Sequence, residues 1–281
     1  MIHIKRFVKQ AITEDNGRGD LFYDIAPDGN FTAKIISKSD GILAGVMYAD
    51  VLARTEKIKV EFLKKDGDVI KAGDVLAKLE GRASKLLSTE RTFLNMLQHA
   101  SGIATMANRF SSKIEDLNVV LLDTRKTRPH LRDFEKYASR IGGAINHRLG
   151  LDDCLMLKDT HLRTIDNLKE FVKKARKRIS WVTKIEIECE TFEQVKVAMD
   201  AGADIIMCDN MNPVQIKEVV QFRNKNYPYI MLEASGNINL DTIREYASTG
   251  VDAVSSGSII HQATWLDFSM RVDWIWKKIL F

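Results

Sequence analysis

The chain has 281 residues, with 42 Lys and Arg against 38 Asp and Glu and a formal net charge of +4. Hydrophobic residues make up 45% and charged residues 28%, ordinary proportions for a globular protein long enough for one large domain and a smaller one. Acids and bases are interspersed, which points to small anionic ligands rather than a nucleic-acid surface.

The first residues, MIHIKRFVKQAI, lack the apolar core and small-residue cleavage site of a secretory signal. No run reaches the ~20 apolar residues of a membrane span. Cys154, Cys189 and Cys208 are widely spaced, each in or beside an apolar run. Without a Cys-x-x-Cys they support neither a zinc site nor a disulfide framework. Buried thiols in a reducing, cytoplasmic setting are expected.

In chain order, Ile4, Phe7, Val8, Ala11 and Ile12 recur at helical spacing and predict a short amphipathic helix. EDNGRGD (Glu14 to Asp20) reads as a polar loop. From Phe31 to about Glu80 short strands are expected at Thr32 to Ser37, Gly41 to Gly45, Ile58 to Leu63 and Val75 to Leu79, with Asp-Gly and Gly-Asp turns between them. A long helix follows from Lys85 to Lys113, and the small residues around Gly102 imply close packing or a break between Ala100 and Thr105.

After Asn118 strands alternate with helices, the rhythm of βαβ units and a parallel sheet. Strands are predicted at Val119 to Leu122, Ile141 to Ala144, Leu155 to Leu157, Thr183 to Cys189, Ile205 to Cys208, Tyr229 to Glu233 and Ala253 to Ser255. The intervening helices are Leu131 to Arg140, Ile165 to Lys177, Phe192 to Ala201, Pro213 to Asn224 and Leu240 to Thr249. About seven parallel strands is one short of a closed eight-fold barrel, so an incomplete TIM-like barrel is expected. The tail, WLDFSMRVDWIWKKILF, reads as a helix packed on the smaller domain.

In such a sheet the residues that bind ligands stand at the carboxyl ends of the strands. Arg125, Lys126, Arg148 and Lys158 fall at or near predicted ends and would converge on one mouth. Guanidinium forks and lysine point charges there favour a ligand rich in carboxylate or phosphate, although any one of them alone could be a solvated strand end. Glu186 and Glu188 lie two apart in IEIECE and so face one side of their strand, and Asp209-Asn210 closes the next. Such groups bind ribose hydroxyls or magnesium, or serve as structural hydrogen bonders.

Ala234 to Asn237 and Ser255 to Ser258 are small-residue turns that let backbone N–H groups approach a phosphate. Gly-x-Gly-x-x-Gly, Walker A and Gly-x-Ser-x-Gly are absent, and the histidines are not spaced as in a zinc helix. What remains suits a reaction joining an acidic small molecule to a phosphorylated sugar.

Nine ordered blocks carry a resemblance over nearly the whole chain: EDNGRGD, ERTFLNMLQHASGIAT, DTRKTRPHLRDFEKYA, GGAINHRLGLDD, LKDTH, IEIECE, IIMCDN, LEASGNI and TGVDAVSSGSIIH. The chain resembles the quinolinate phosphoribosyltransferases, the decarboxylating nicotinate-nucleotide pyrophosphorylases of NAD biosynthesis.

The resemblance implies an open-faced α/β sandwich over 1–110, joined by a C-terminal helix over 264–281, and an α/β barrel over 111–263. It implies that Arg125, His147 and Arg148 hold the two carboxylates of quinolinate, with Arg91 reaching the site from the neighbouring subunit of a homodimer or a higher multiple. Lys126 and Lys158 would lie between the pyridine and phosphoribosyl pyrophosphate. Glu188 and Asp209 would address ribose hydroxyls and Mg2+, directly or through water. Ser235 and Gly236, then Gly257 and His261, would surround the 5′-phosphate. Lys126, Lys158, Glu188 and Asp209 are thus the implied catalytic set.

Three positions depart from the family pattern: His130 stands where glycine is frequent, Thr160 where asparagine is usual, and Ser256 where an apolar residue is common. Other readings are a nicotinate phosphoribosyltransferase, against which the full cationic set argues, and the paralogue associated with molybdate transport, which gene neighbourhood would separate. A silent regulator binding mononucleotides would show binding without turnover, and a nucleic-acid binder would show salt-sensitive binding.

Overall fold

The computed structural model describes residues 2–22 and 29–272. They divide into two compact units, residues 2–105 with 263–272 and residues 106–262, and the boundary between them falls inside a long helix.

The first unit begins with α1 (Ile2–Asn16), which extends three residues into the predicted EDNGRGD loop. It continues with β1 (Asn30–Ser37), β2 (Gly41–Ile42), α2 (Val46–Thr55), β3 (Lys59–Phe62), β4 (Val69–Ile70), β5 (Val75–Arg82) and α3 (Ala83–Ser112). β1, β3 and β5 form one antiparallel sheet, while β2 pairs with β4.

Sequence reading misses α2. Its buried residues, Tyr48, Ala49, Leu52 and Ala53, follow helical spacing. Gly45 opens the helix at φ +99°, where a Cβ would lie 2.8 Å from the Met96 carbonyl oxygen.

The expected helix over 264–281 is corrected by the structure. Phe268–Val272 is a strand, the last of the fold (β12), paired antiparallel with β1 through Ile35↔Met270 and Ser37↔Phe268. Phe268, Met270 and Val272 recur every second residue, and pairing along the edge of β1 satisfies their backbone groups, which outweighs any helical spacing in the tail. Residues 273–281, the rest of that expectation, lie outside the described residues. Helix α3 runs unbroken through Gly102, so close packing is the correct alternative there. A Cβ on Gly102 would sit 2.3 Å from the Thr264 carbonyl oxygen.

The second unit carries a six-stranded parallel sheet with helices between its strands. In chain order come β6 (Val120–Leu122), α4 (Arg132–Ile141), β7 (Leu155–Leu157), α5 (Asp159–Leu162), α6 (Leu168–Arg176), β8 (Ile185–Cys189), α7 (Phe192–Asp200), β9 (Ile205–Asp209), α8 (Pro213–Asn226), β10 (Met231–Ser235), α9 (Ile243–Ala247), β11 (Ala253–Ser255) and α10 (Ser258–His261). The order across the sheet is β6-β11-β10-β9-β8-β7, an incomplete TIM-like barrel.

The predicted seventh strand, Ile141 to Ala144, does not form. Ile141 ends α4, Gly142 and Gly143 turn the chain with Gly143 at φ +102°, and a single parallel bridge, Leu122↔Ile145, remains beside β6. β8 is buried at every position, as in a sheet covered on both faces, and so encloses Glu186 and Glu188 along with its apolar residues.

Cys189 and Cys208 are buried and face each other in register on β8 and β9, and all three cysteines are free thiols. Burial pushes the Cys154 and Cys208 thiols up to about 12, and that of Cys189 in the same direction.

Two outcomes follow. Gly102→Ala should lower stability by roughly 1–3 kcal/mol, because the Thr264 backbone must move; an unchanged midpoint in chemical denaturation would contradict the packing described. Titration of the folded protein with a thiol reagent near pH 8 should proceed slowly, since the thiolate is the reactive form, and reach all three thiols in denaturant.

Candidate active site

The carboxyl ends of the parallel strands surround one cavity of about 490 Å³, within the second unit. β6 runs out into Thr124, Arg125 and Lys126, and the turn after α4 brings His147 and Arg148 beside them. Lys158 follows β7 directly, β8 contributes Glu188 from its penultimate position, and β9 ends at Asp209. Ser235 and Gly236 follow from β10, and Ser255 closes β11. Nine residues singled out from the sequence therefore line one wall or another of this cavity.

Two more stand next to it. A Cβ on Gly257 would lie 2.7 Å from Lys126 Cδ and 3.1 Å from His261 Cδ2, so Gly257 packs against the Lys126 stem and the His261 ring, and neither Gly257 nor His261 lines the cavity. Arg91 lies on the exposed side of α3 in the first unit.

The Arg125 and Arg148 guanidinium groups of this wall have no carboxylate partner among the described residues. Burial pushes the Arg125 guanidinium below its ordinary pKa, and the charges of Arg148 and Arg132 push the same way. Arg125 Nε is buried with no hydrogen-bond partner. Arg148 is almost buried, and its guanidinium donates to the Cys154 carbonyl at 3.2 Å and towards the Met156 sulfur at 3.3 Å, a weak acceptor. Lys158 Nζ donates to Glu188 Oε2.

Across the cavity, burial and the neighbouring charge of Glu188 push the Asp209 carboxyl up. Two hard carboxylates under mutual repulsion are a donor set that suits magnesium, which takes oxygen ligands and keeps several waters. A second group of possible ligands, His147, Glu186 and Glu233, lies deeper.

Asn210 and Asn237 shape the far wall. Both adopt positive φ, which asparagine tolerates. Asn237 Nδ2 donates to Asn210 Oδ1 at 3.0 Å, and Asn210 Nδ2 donates to Asp209 Oδ2 at 2.8 Å. Gly236, at φ +93°, has no room for a Cβ, which would come within 2.4 Å of Asn210 Oδ1.

Sequence reasoning missed Glu233 and the use to which Glu186 is put. His147 Nε2 lies 3.3 Å from Glu186 Oε1 and 3.2 Å from Glu233 Oε2, while His147 Nδ1 accepts the Arg148 backbone N–H at 2.7 Å. Burial opposes a proton on the ring while the two glutamates favour one, and the balance raises the His147 pKa. Burial also pushes the Glu186 carboxyl up. With Nδ1 occupied as an acceptor, Nε2 carries a proton towards the glutamates and the cluster holds its protons as a unit. The signal for Glu233 was its place in LEAS, two residues before Ser235 on the same face of β10.

Two departures from the family pattern have local explanations. His130 sits at φ +64°, the left-handed region in which glycine is favoured. Ser256 is buried but satisfied, its Oγ donating to the Ile238 carbonyl at 2.7 Å. Nothing in the structure explains Thr160.

A family description of the quinolinate phosphoribosyl transferase C-terminal domain matches residues 103–271, and that of the N-terminal domain matches residues 13–101. The chain belongs to the quinolinate phosphoribosyl transferase family. It is 40% identical over 274 residues to a probable nicotinate-nucleotide pyrophosphorylase [carboxylating] of Bacillus subtilis, covering 96% of this chain and 94% of that one. A protein of the same name from Synechocystis is 38% identical, with 96% and 93% covered. The solved nicotinate-nucleotide pyrophosphorylase of Francisella tularensis superposes with a TM-score of 0.90 at 34% identity, covering 96% of each chain.

For this family member, Gly236→Ala should lower turnover roughly 10²-fold, since displacing Asn210 moves Asp209 and misplacements near 1 Å carry that cost. Steady-state kinetics within threefold of the unsubstituted protein would contradict the tight turn.

Proposed function

We propose that the chain is a quinolinate phosphoribosyltransferase, a pentosyltransferase of NAD biosynthesis. It converts quinolinate and phosphoribosyl pyrophosphate to nicotinate mononucleotide, pyrophosphate and carbon dioxide. The observation that carries this reading is Arg125, buried at Nε without a partner and crowded by two further guanidinium groups. A dicarboxylate supplies the anionic acceptors that this wall lacks, in the bidentate geometry guanidinium prefers. The names of the relatives agree, for a carboxylating pyrophosphorylase is this reaction written from the mononucleotide side.

In this reading Arg125 and Arg148 take the two carboxylates. His147 already uses both ring nitrogens within the protein, so it contributes by holding the Arg148 backbone and by its ring edge. Lys126 and Lys158 stand between the pyridine and the pyrophosphate, and Glu188 and Asp209 address the ribose hydroxyls. Ser235 and Gly236, with Gly257 and His261 behind Lys126, take the 5′-phosphate. Mg2+ at Glu188 and Asp209, directly or through water, would neutralise charge on the departing pyrophosphate.

The ribose C1–oxygen bond breaks towards pyrophosphate as the pyridine nitrogen bonds to C1. The bond from C2 to its carboxylate then breaks, the cationic ring keeps the electron pair, carbon dioxide leaves and C2 takes a proton. The chain's contribution is positioning and preorganised charge. We place the protein in the cytoplasm as a homodimer, or a multiple of it, in which Arg91 of one subunit completes the site of another.

Purified protein with magnesium, phosphoribosyl pyrophosphate and quinolinate should form nicotinate mononucleotide, with none formed from nicotinate. Product from nicotinate alone would overturn the assignment. Lys126→Ala should lower turnover roughly 10²–10³-fold, as removal of a preorganised electrostatic group does; a loss of tenfold or less in steady-state kinetics would remove Lys126 from that role.

A further inference from the structure

Behind the cationic wall lies a buried ion pair that the reaction does not use. Asp123, the residue after β6, is fully buried, and Lys136 of α4 is 1% exposed. Lys136 Nζ donates to Asp123 Oδ1 and, at 3.0 Å, to the backbone carbonyl of His147. Asp123 Oδ1 also accepts the His147 backbone N–H at 2.9 Å. The pair therefore grips the residue before Arg148 on both its backbone N–H and its carbonyl.

The second Asp123 oxygen is held as firmly, accepting from Ser139 Oγ at 2.9 Å and from Asn146 Nδ2 at 2.6 Å. Asn146 Nδ2 donates also to the Lys136 carbonyl at 2.9 Å. Every bond in this network ends on the turn that presents His147 and Arg148 or on the helix that precedes it.

Buried ion pairs are weak contributors to stability, and apolar replacements of similar volume are often neutral or stabilising. Serving conformation is the use such a pair has left, and the turn it grips carries one half of the carboxylate wall. Six parallel strands leave that turn beside β6 with only the Leu122↔Ile145 bridge as sheet support. The side-chain network stands where the missing strand would have fixed it.

We propose that Asp123 and Lys136 are positioning residues for the acidic substrate: they set the backbone at His147 and Arg148, and through it the carboxylate half of the pocket. This inference rests on the proposed quinolinate reaction.

The test uses the full chain and the double variant Asp123→Asn with Lys136→Met, which removes both charges together and strands neither. It should keep a melting temperature near that of the unsubstituted protein. The KM for quinolinate and the Kd for benzene-1,2-dicarboxylate, a dicarboxylate probe read by calorimetry without turnover, should each rise about tenfold or more, the scale of one or two lost hydrogen bonds. The KM for phosphoribosyl pyrophosphate should stay within about twofold, a split that a general loss of folding would not produce. Unchanged quinolinate KM in a stable double variant, or an equal rise for both substrates, overturns the proposal.

Should the double variant not fold, Asn146→Ala loosens Asp123 while leaving the ion pair intact. A quinolinate KM raised about threefold or more then supports the proposal, and an unchanged one overturns it. Failure of the unsubstituted protein to turn over quinolinate would instead remove the functional reading, and this inference with it.

Discussion

The architecture of the second unit turns on cationic charge held, unneutralised, at the carboxyl ends of a parallel sheet. Arg125 and Arg148 are partly or nearly buried there, and enclosing a charge without a counter-charge costs free energy that an arriving anion offsets. A protein could quench this by placing a carboxylate against each guanidinium. Here the nearby glutamates are committed elsewhere: Glu188 pairs with Lys158, and Glu186 and Glu233 face His147. Arg148 is left facing a carbonyl and a thioether, and Arg125 Nε has no partner, an arrangement that suits carboxylates.

The acids complete the division of the cavity. Asp209 beside Glu188 forms a region in which two negative charges raise each other's cost, suited to a cation or to ribose hydroxyls. One side thus asks for anions and the other for cations and donors, and a negatively charged pyridine joining a sugar diphosphate meets both needs. Membership of the quinolinate phosphoribosyl transferase family and the geometry of the cavity agree on this without depending on one another.

Much of this was legible in the sequence because parallel strands place their ligand-binding groups at one end, so Arg125, Lys158, Asp209 and Ser235 could be set on a common rim from strand positions alone. The failures have local causes. Val46–Thr55 folds as helix because its buried residues follow a 3.6-residue period hidden among valines and glycine turns. Phe268–Val272 is a strand because β1 offers an edge, a tertiary fact that local spacing does not contain. Ile141 to Ala144 is apolar enough for a strand, but the paired glycines that follow α4 favour a turn. Glu233 escaped notice because an acid inside an apolar strand declares its role only when its neighbours across the sheet are known.

The most direct test of the cationic wall is a structure of the protein with quinolinate bound. Both carboxylates should lie within hydrogen-bonding distance of the Arg125 and Arg148 guanidinium groups, with Arg125 Nε acquiring a partner. Carboxylates placed instead against Ser235 and Gly236, or quinolinate bound outside this cavity, would contradict the account.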